Sequence, residues 1–151
     1  MAKNPKKVDV KAELQRRMRF VDKRIKDLKK IKGSKKQSAQ KSANVNKHIA
    51  HLKDRAEIIR QRIYDIRNDK SITNYKTKDV GETFSDSYNN PLMALDTLNY
   101  DISQFASEFL AAVKYANETE GVDYGYTDFR KEFDRESDWL SYDDSRIFND
   151  D

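Results

Sequence analysis

In three stretches of this chain, apolar side chains return every three and four residues, and no other feature restricts the fold so strongly. Val45, Ile49, Leu52, Ala56, Ile59, Ile63 and Ile66 step 4, 3, 4, 3, 4, 3. Leu14, Met18, Val21, Ile25 and Leu28 step 4, 3, 4, 3 before them, and Leu95, Leu98, Ile102, Phe105, Phe109, Ala112 and Ala116 step 3, 4, 3, 4, 3, 4 after them. A mean repeat of about 3.5 residues lays one apolar seam along an α-helix. The expected fold class is therefore all-α. An N-terminal antiparallel coiled-coil helical hairpin is followed by a third long helix and a shorter C-terminal helix, with a long polar loop between hairpin and third helix.

Helix boundaries follow from the flanking residues. The first helix is expected over about 8–32, with Asp9 as N-cap and Gly33 just past its end. The second is expected over about 38–68. Pro91 suits the first position of the third helix, about 91–120, with Asn90 as its cap and Gly121 as its stop. Phe129, Phe133 and Leu140, with Trp139 beside them, suggest a fourth helix over about 127–141, followed by an acidic tail. The domain organisation expected is a basic hairpin at 1–70, a polar loop at 71–90 and an acidic, aromatic helical part at 91–151.

The connection Gly33 to Gln37 is short and polar, so the first two helices should fold back on each other. A turn near Lys36 makes facing residues add to about 73. Leu28 then meets Val45, Ile25 meets Ile49, Val21 meets Leu52, Met18 meets Ala56, Leu14 meets Ile59 and Val10 meets Ile63.

Charge is distributed as unevenly as hydropathy. Charged residues make up 37% of the chain and apolar ones 36%, or about 39% with the 4 glycines, against about 25% charged and 45–50% apolar, glycine included, in an ordinary soluble domain. A core this thin suits an elongated helical protein, or a subunit that completes its core against a partner. Residues 1–70 hold 23 Lys and Arg against 8 Asp and Glu, a balance of +15, and residues 71–151 hold 7 against 18, a balance of −11. Phe20 and Tyr64 are the only aromatics of the first half.

Taking Met18 and Ile25 as seam positions, Arg16, Arg19, Lys23, Lys26 and Lys30 share the opposite face of the first helix. An uninterrupted basic stripe can follow a phosphate backbone or an acidic partner, since each neutralised phosphate adds salt-dependent affinity. A solvated face is the ordinary alternative. Beside the seam, both hairpin helices carry mainly cations: Arg17 and Arg24 on the first, and Lys53, Arg55, Arg60, Arg62 and Arg67 on the second. Coiled coils put opposite charges there, so the bare hairpin is electrostatically frustrated. Asp101 and Glu108, beside the third seam, are natural counter-charges, within the chain or from a neighbour. The aromatic, acidic run from Asp123 to Asp151 can pack on the third helix, dock on a neighbour's hairpin or imitate nucleic acid.

Signatures of catalysis are missing. The chain has no cysteine, which excludes thiol chemistry and disulfides. His48 and His51, with Asp54 a turn away, make a weak metal set. The acids after Asp123 fail the calcium-loop pattern, because Asp128 stands where that loop requires Gly. No catalytic residue, cofactor or metal is expected, and the chain is not expected to be an enzyme. No apolar run can span a membrane and no signal peptide is apparent, so a cytoplasmic or virion location is expected. The expected function is a structural or adaptor subunit of a homo-oligomer or multi-protein assembly. The Lys-, Asn- and Asp-rich composition would suit a bacteriophage particle, for instance a portal or tail ring. A nucleic-acid-binding accessory protein using the basic hairpin, or a small inhibitor of a host defence enzyme, are the alternatives.

Overall fold

A computed structural model describes residues 9–31, 39–69 and 91–147. The protein is all-α: α1 spans Val10–Lys30, α2 Ala39–Asn68, α3 Pro91–Glu120 and α4 Tyr126–Asp134, and the described residues include no strand. Gly33, Asn90, the polar loop 71–90 and the last residues of the tail lie outside the described residues. α1 begins as expected: the Asp9 carboxylate accepts the Ala12 N–H at 3.1 Å, and Lys29 and Lys30 stand in the last turn, where cations favour the helix dipole. Gly121, at φ +66°, ends α3 in the left-handed conformation, and its N–H returns to the Asn117 carbonyl at 2.9 Å.

α3 is the central element. Phe109, Leu110, Ala111, Ala112 and Val113 are buried in succession, which is possible only for a helix covered on nearly every side. On one side lies α2. Arg62 pairs with Asp101, Arg55 with Glu108 and Ser42 with Glu120. These residue numbers add to 162 or 163 throughout, so α2 and α3 run antiparallel over their whole length. On the other side lies α1, where Arg17 donates to Asn99 at 2.7 Å. Buried apolar residues from all four helices form one continuous cluster.

The hairpin is present, and every expected seam residue of α1 and α2 is buried except the half-buried Ile25 and Ile66. The register differs from the expected one. Asp22 pairs with Arg60 at 3.2 Å, and these numbers add to 82. Asn99, the partner of Arg17, lies level with Tyr64 in the α2–α3 register, and 17 and 64 add to 81. Facing residues of α1 and α2 thus add to about 81, roughly one heptad beyond 73. The reason is that an aliphatic heptad seam looks the same after a slide of seven residues. The first turns of α2 reach past Leu28 and pack on α3, as in the edge-to-face contact of His48 with Tyr115 at 5.4 Å.

α4 also differs, ending at Asp134 rather than continuing to Ser141. From Phe133 onward the chain tightens into three-residue turns: Glu136 N–H bonds the Phe133 carbonyl at 2.9 Å, Ser137 the Asp134 carbonyl at 3.2 Å and Trp139 the Glu136 carbonyl at 3.1 Å. In a straight helix, positions six apart point about 120° away from each other at 100° per residue. The tightened turns bring Phe133 and Trp139 onto the same ring, Phe20, at centroid distances of 5.0 and 5.6 Å.

Candidate charged interface

α1 carries a second buried face beside its aliphatic seam. Arg17, Phe20 and Arg24, stepping 3 and 4, are 3%, 4% and 1% exposed. The segment from α4 to Tyr142 covers them. Arg24 lies within a group of aromatic rings: its guanidinium carbon is 4.9 Å from the centroid of Phe20, 5.1 Å from Phe133, 5.5 Å from Phe129 and 5.8 Å from Phe109. Asp27 and Glu132 each accept from it at 3.0 Å, while its Nη1 has no acceptor among the described residues. Carboxylates and ring faces replace the water that this buried guanidinium loses. Arg17 lies 4.7 Å from the Trp139 ring centroid and bonds the Glu13 carboxylate at 2.7 Å as well as Asn99.

Acids of the same segment neutralise part of the basic stripe. Arg16 grips Asp138 with two parallel hydrogen bonds of 2.7 and 2.8 Å and reaches Glu136 at 2.7 Å. The same Glu136 oxygen accepts the Trp139 ring N–H at 2.7 Å. Lys23 donates to Glu132 at 2.7 Å. The hydrogen bond to Asp138 holds the Arg16 guanidinium above its ordinary value and Asp138 below the usual carboxylate range. Burial alone would raise Glu132, but the bonds from Lys23 and the charge of Arg24 outweigh it and keep this carboxyl low. Burial, and the bond its hydroxyl donates to Asp134, raise Tyr142.

Of the five stripe residues, then, Arg16 and Lys23 are held by acids of the chain itself. Arg19, Lys26 and Lys30 are exposed, with no ion pair among the described residues. Arg55 and Arg62 meet Glu108 and Asp101 as the pairs named above, whereas Arg17 and Arg24 meet neither of those acids. Glu108 is shared with Arg146 at 3.6 Å. Ser103 and Ser107, one turn apart and buried on α3, fasten the segment after Leu140. Their hydroxyls accept the backbone N–H groups of Ser141 and Asp143 at 3.0 and 2.7 Å. Sequence reasoning missed these serines. The available signal was two polar residues inside an otherwise apolar helix, where a buried hydroxyl requires a partner.

His48 and His51 join no group of three or more possible metal ligands among the described residues, and no helix among them is long and apolar enough to cross a membrane. Comparison with protein-family models, with curated proteins and with solved structures finds no match.

Proposed function

We propose that this chain is a non-enzymatic structural or adaptor subunit that associates with further copies of itself through the outer face of α2 and α3. A phage particle ring is one form such an assembly would take. Asp101 and Glu108 are engaged within the chain, so the proposed contact does not use these two acids. The observation that carries the proposal is a shallow groove along the α2–α3 face. One hollow of about 280 Å³ is lined by Ile66, Ala94 and Leu98, and a second of about 230 Å³ by Ile58 and Ile59, with Arg62 and Asp101 bordering both. Ile58 is 54% exposed, and Tyr100, next to Asp101, is 67% exposed. Exposed bulky side chains and a groove lined by isoleucines as well as by the charged Arg55, Arg62, Asp65 and Asp101 have the mixed make-up of a subunit contact.

Light scattering over a wide concentration range tests this. The expected result is a mass rising to a multiple of the monomer, with the Ile58→Glu, Tyr100→Glu double variant remaining monomeric and folded. A wild-type chain that remains monomeric at about millimolar concentration, where even weak association of about 4 kcal/mol is half complete, overturns the proposal.

A further inference from the structure

We infer that the outward row of α1 left over after folding — Arg19, Lys26 and Lys30 — is a docking surface for the phosphate backbone of duplex nucleic acid. The inference uses no residue of the α2–α3 face, so the two proposals stand or fall separately. The full five-residue stripe is not available, because Arg16 is gripped by Asp138 and Glu136 and Lys23 by Glu132. The nearby acids are occupied too: Asp22 by Arg60, Asp27 by Arg24, and Glu132 and Glu136 by the cations just named. Among the described residues, what this stripe leaves to solvent is a line of three cations, and the acids just named already have partners. Lys29 is exposed beside its far end.

The geometry of the row favours a regular polyanion. On a helix rising 1.5 Å per residue, Arg19 and Lys26 are about 10 Å apart and Lys26 and Lys30 about 6 Å, all within about 40° of one line. The row thus runs about 16 Å, which along the axis of a duplex covers about five base-pair rises of about 3.4 Å. Arg19 adds a planar fork suited to two phosphate oxygens. A lipid surface fits less well, because no large exposed apolar side chain on α1 accompanies the cations, and interfacial helices insert such side chains. Contacts to phosphate oxygens carry no sequence information, so binding is independent of sequence.

The test is fluorescence anisotropy of a labelled mixed-sequence duplex across a salt series with the full chain. Three phosphate contacts predict a log–log slope of about −2.7, and affinity falling about 40-fold between about 50 and 200 mM salt. Arg19→Gln, Lys26→Gln, Lys30→Gln should flatten the slope towards zero. The triple variant Lys11→Gln, Lys47→Gln, Lys53→Gln changes the net charge equally but lies off the row and should keep the slope. Helix content by circular dichroism confirms that both variants fold. Equal loss in both variants would show that net charge, not the row, does the binding, and would overturn the assignment. So would absence of binding at low salt, or tighter binding at matched salt to polyglutamate or to phosphatidylserine vesicles than to the duplex.

Discussion

α1 is held on two sides by interfaces of opposite chemistry. Towards α2 it presents Leu14, Met18, Val21 and Leu28, aliphatic side chains at heptad spacing. Towards the C-terminal segment it presents Arg17, Phe20 and Arg24, which meet Trp139, Phe133 and Glu132. The first interface is strong but repetitive, since burying a Leu or Val contributes about 1.5–3 kcal/mol whichever aliphatic residue lies opposite. The second is specific: a guanidinium needs its carboxylate, an indole N–H its acceptor, and a ring its edge-to-face partner within about a turn of the right place. Aliphatic burial therefore supplies stability with loose register, and the arginine–aromatic face supplies the register. α1 is set against α2 one heptad away from the shortest-loop arrangement because its other face locks to α3 and the segment beyond it.

The largest effect expected from this contrast is all-or-none. Cysteines replacing Val21 and Ile59 should crosslink on oxidation. Cysteines replacing Val21 and Leu52 should not, because a seven-residue slide moves the partner about 10 Å along the axis, beyond the roughly 7 Å Cα separation a disulfide tolerates. Efficient crosslinking of the second pair alone would restore the shorter register and remove the ordering role given to the arginine face.

Next in size is Arg24. Breaking a buried ion pair by removing one partner costs roughly 3–5 kcal/mol, whereas replacing the charge with a well-packed apolar side chain is often neutral or stabilising. Arg24→Ala should therefore lose about 3 kcal/mol in urea unfolding, near the lower figure because Glu132 keeps Lys23. Arg24→Met should match or exceed the wild type while making the Val21/Leu52 crosslink easier. Equal losses in the two variants would mean that volume, not charge, matters at this position.

Smallest is the response to acid. The folded-state values of Glu132 and Asp138 are depressed, so their contribution is present above the unfolded carboxylate range of about 3.9–4.3 and is lost as pH falls through their lower folded values. Trp139, the single tryptophan, is 8% exposed and reports on this contact. Its emission should stay constant from pH 7 to about 5 and shift to the red only below about 4. A shift centred near pH 6 would point to a histidine instead.

The aliphatic side of the molecule was legible because periodicity survives in a single sequence: all three long helices follow from spacing, the hairpin from the short polar connection between two of them, and the Asp9 cap from its residue type. The register was not, since the pattern repeats after every heptad. The second face of α1 was hidden because two of its three central members are arginines, which composition counts as surface residues. Phe20, the one aromatic on α1, was the available clue, with arginines three residues before and four after it. Asp101 and Glu108 were identifiable as counter-charges because they flank a seam. Glu132, Glu136 and Asp138 were lost in a run crowded with acids, where the tightened turns after Phe133 decide which carboxylates point inward.

The pairing of Arg16 with Asp138 spans 122 residues of sequence, and this bears on how the protein is made. Helical bundles usually fold fast because their contacts are local. Here α1 and α2 leave the ribosome long before the strand of chain that covers Phe20 and Arg24 has been synthesised. At elongation rates of about 5–20 residues per second, an aromatic ring and a buried-to-be guanidinium wait in solvent for several seconds. The cationic neighbours of Phe20 keep that interval harmless: Arg16, Arg17, Arg19, Lys23 and Arg24 surround the ring with like charge, so two nascent hairpins repel each other before the acidic segment arrives to replace that repulsion with a closed core.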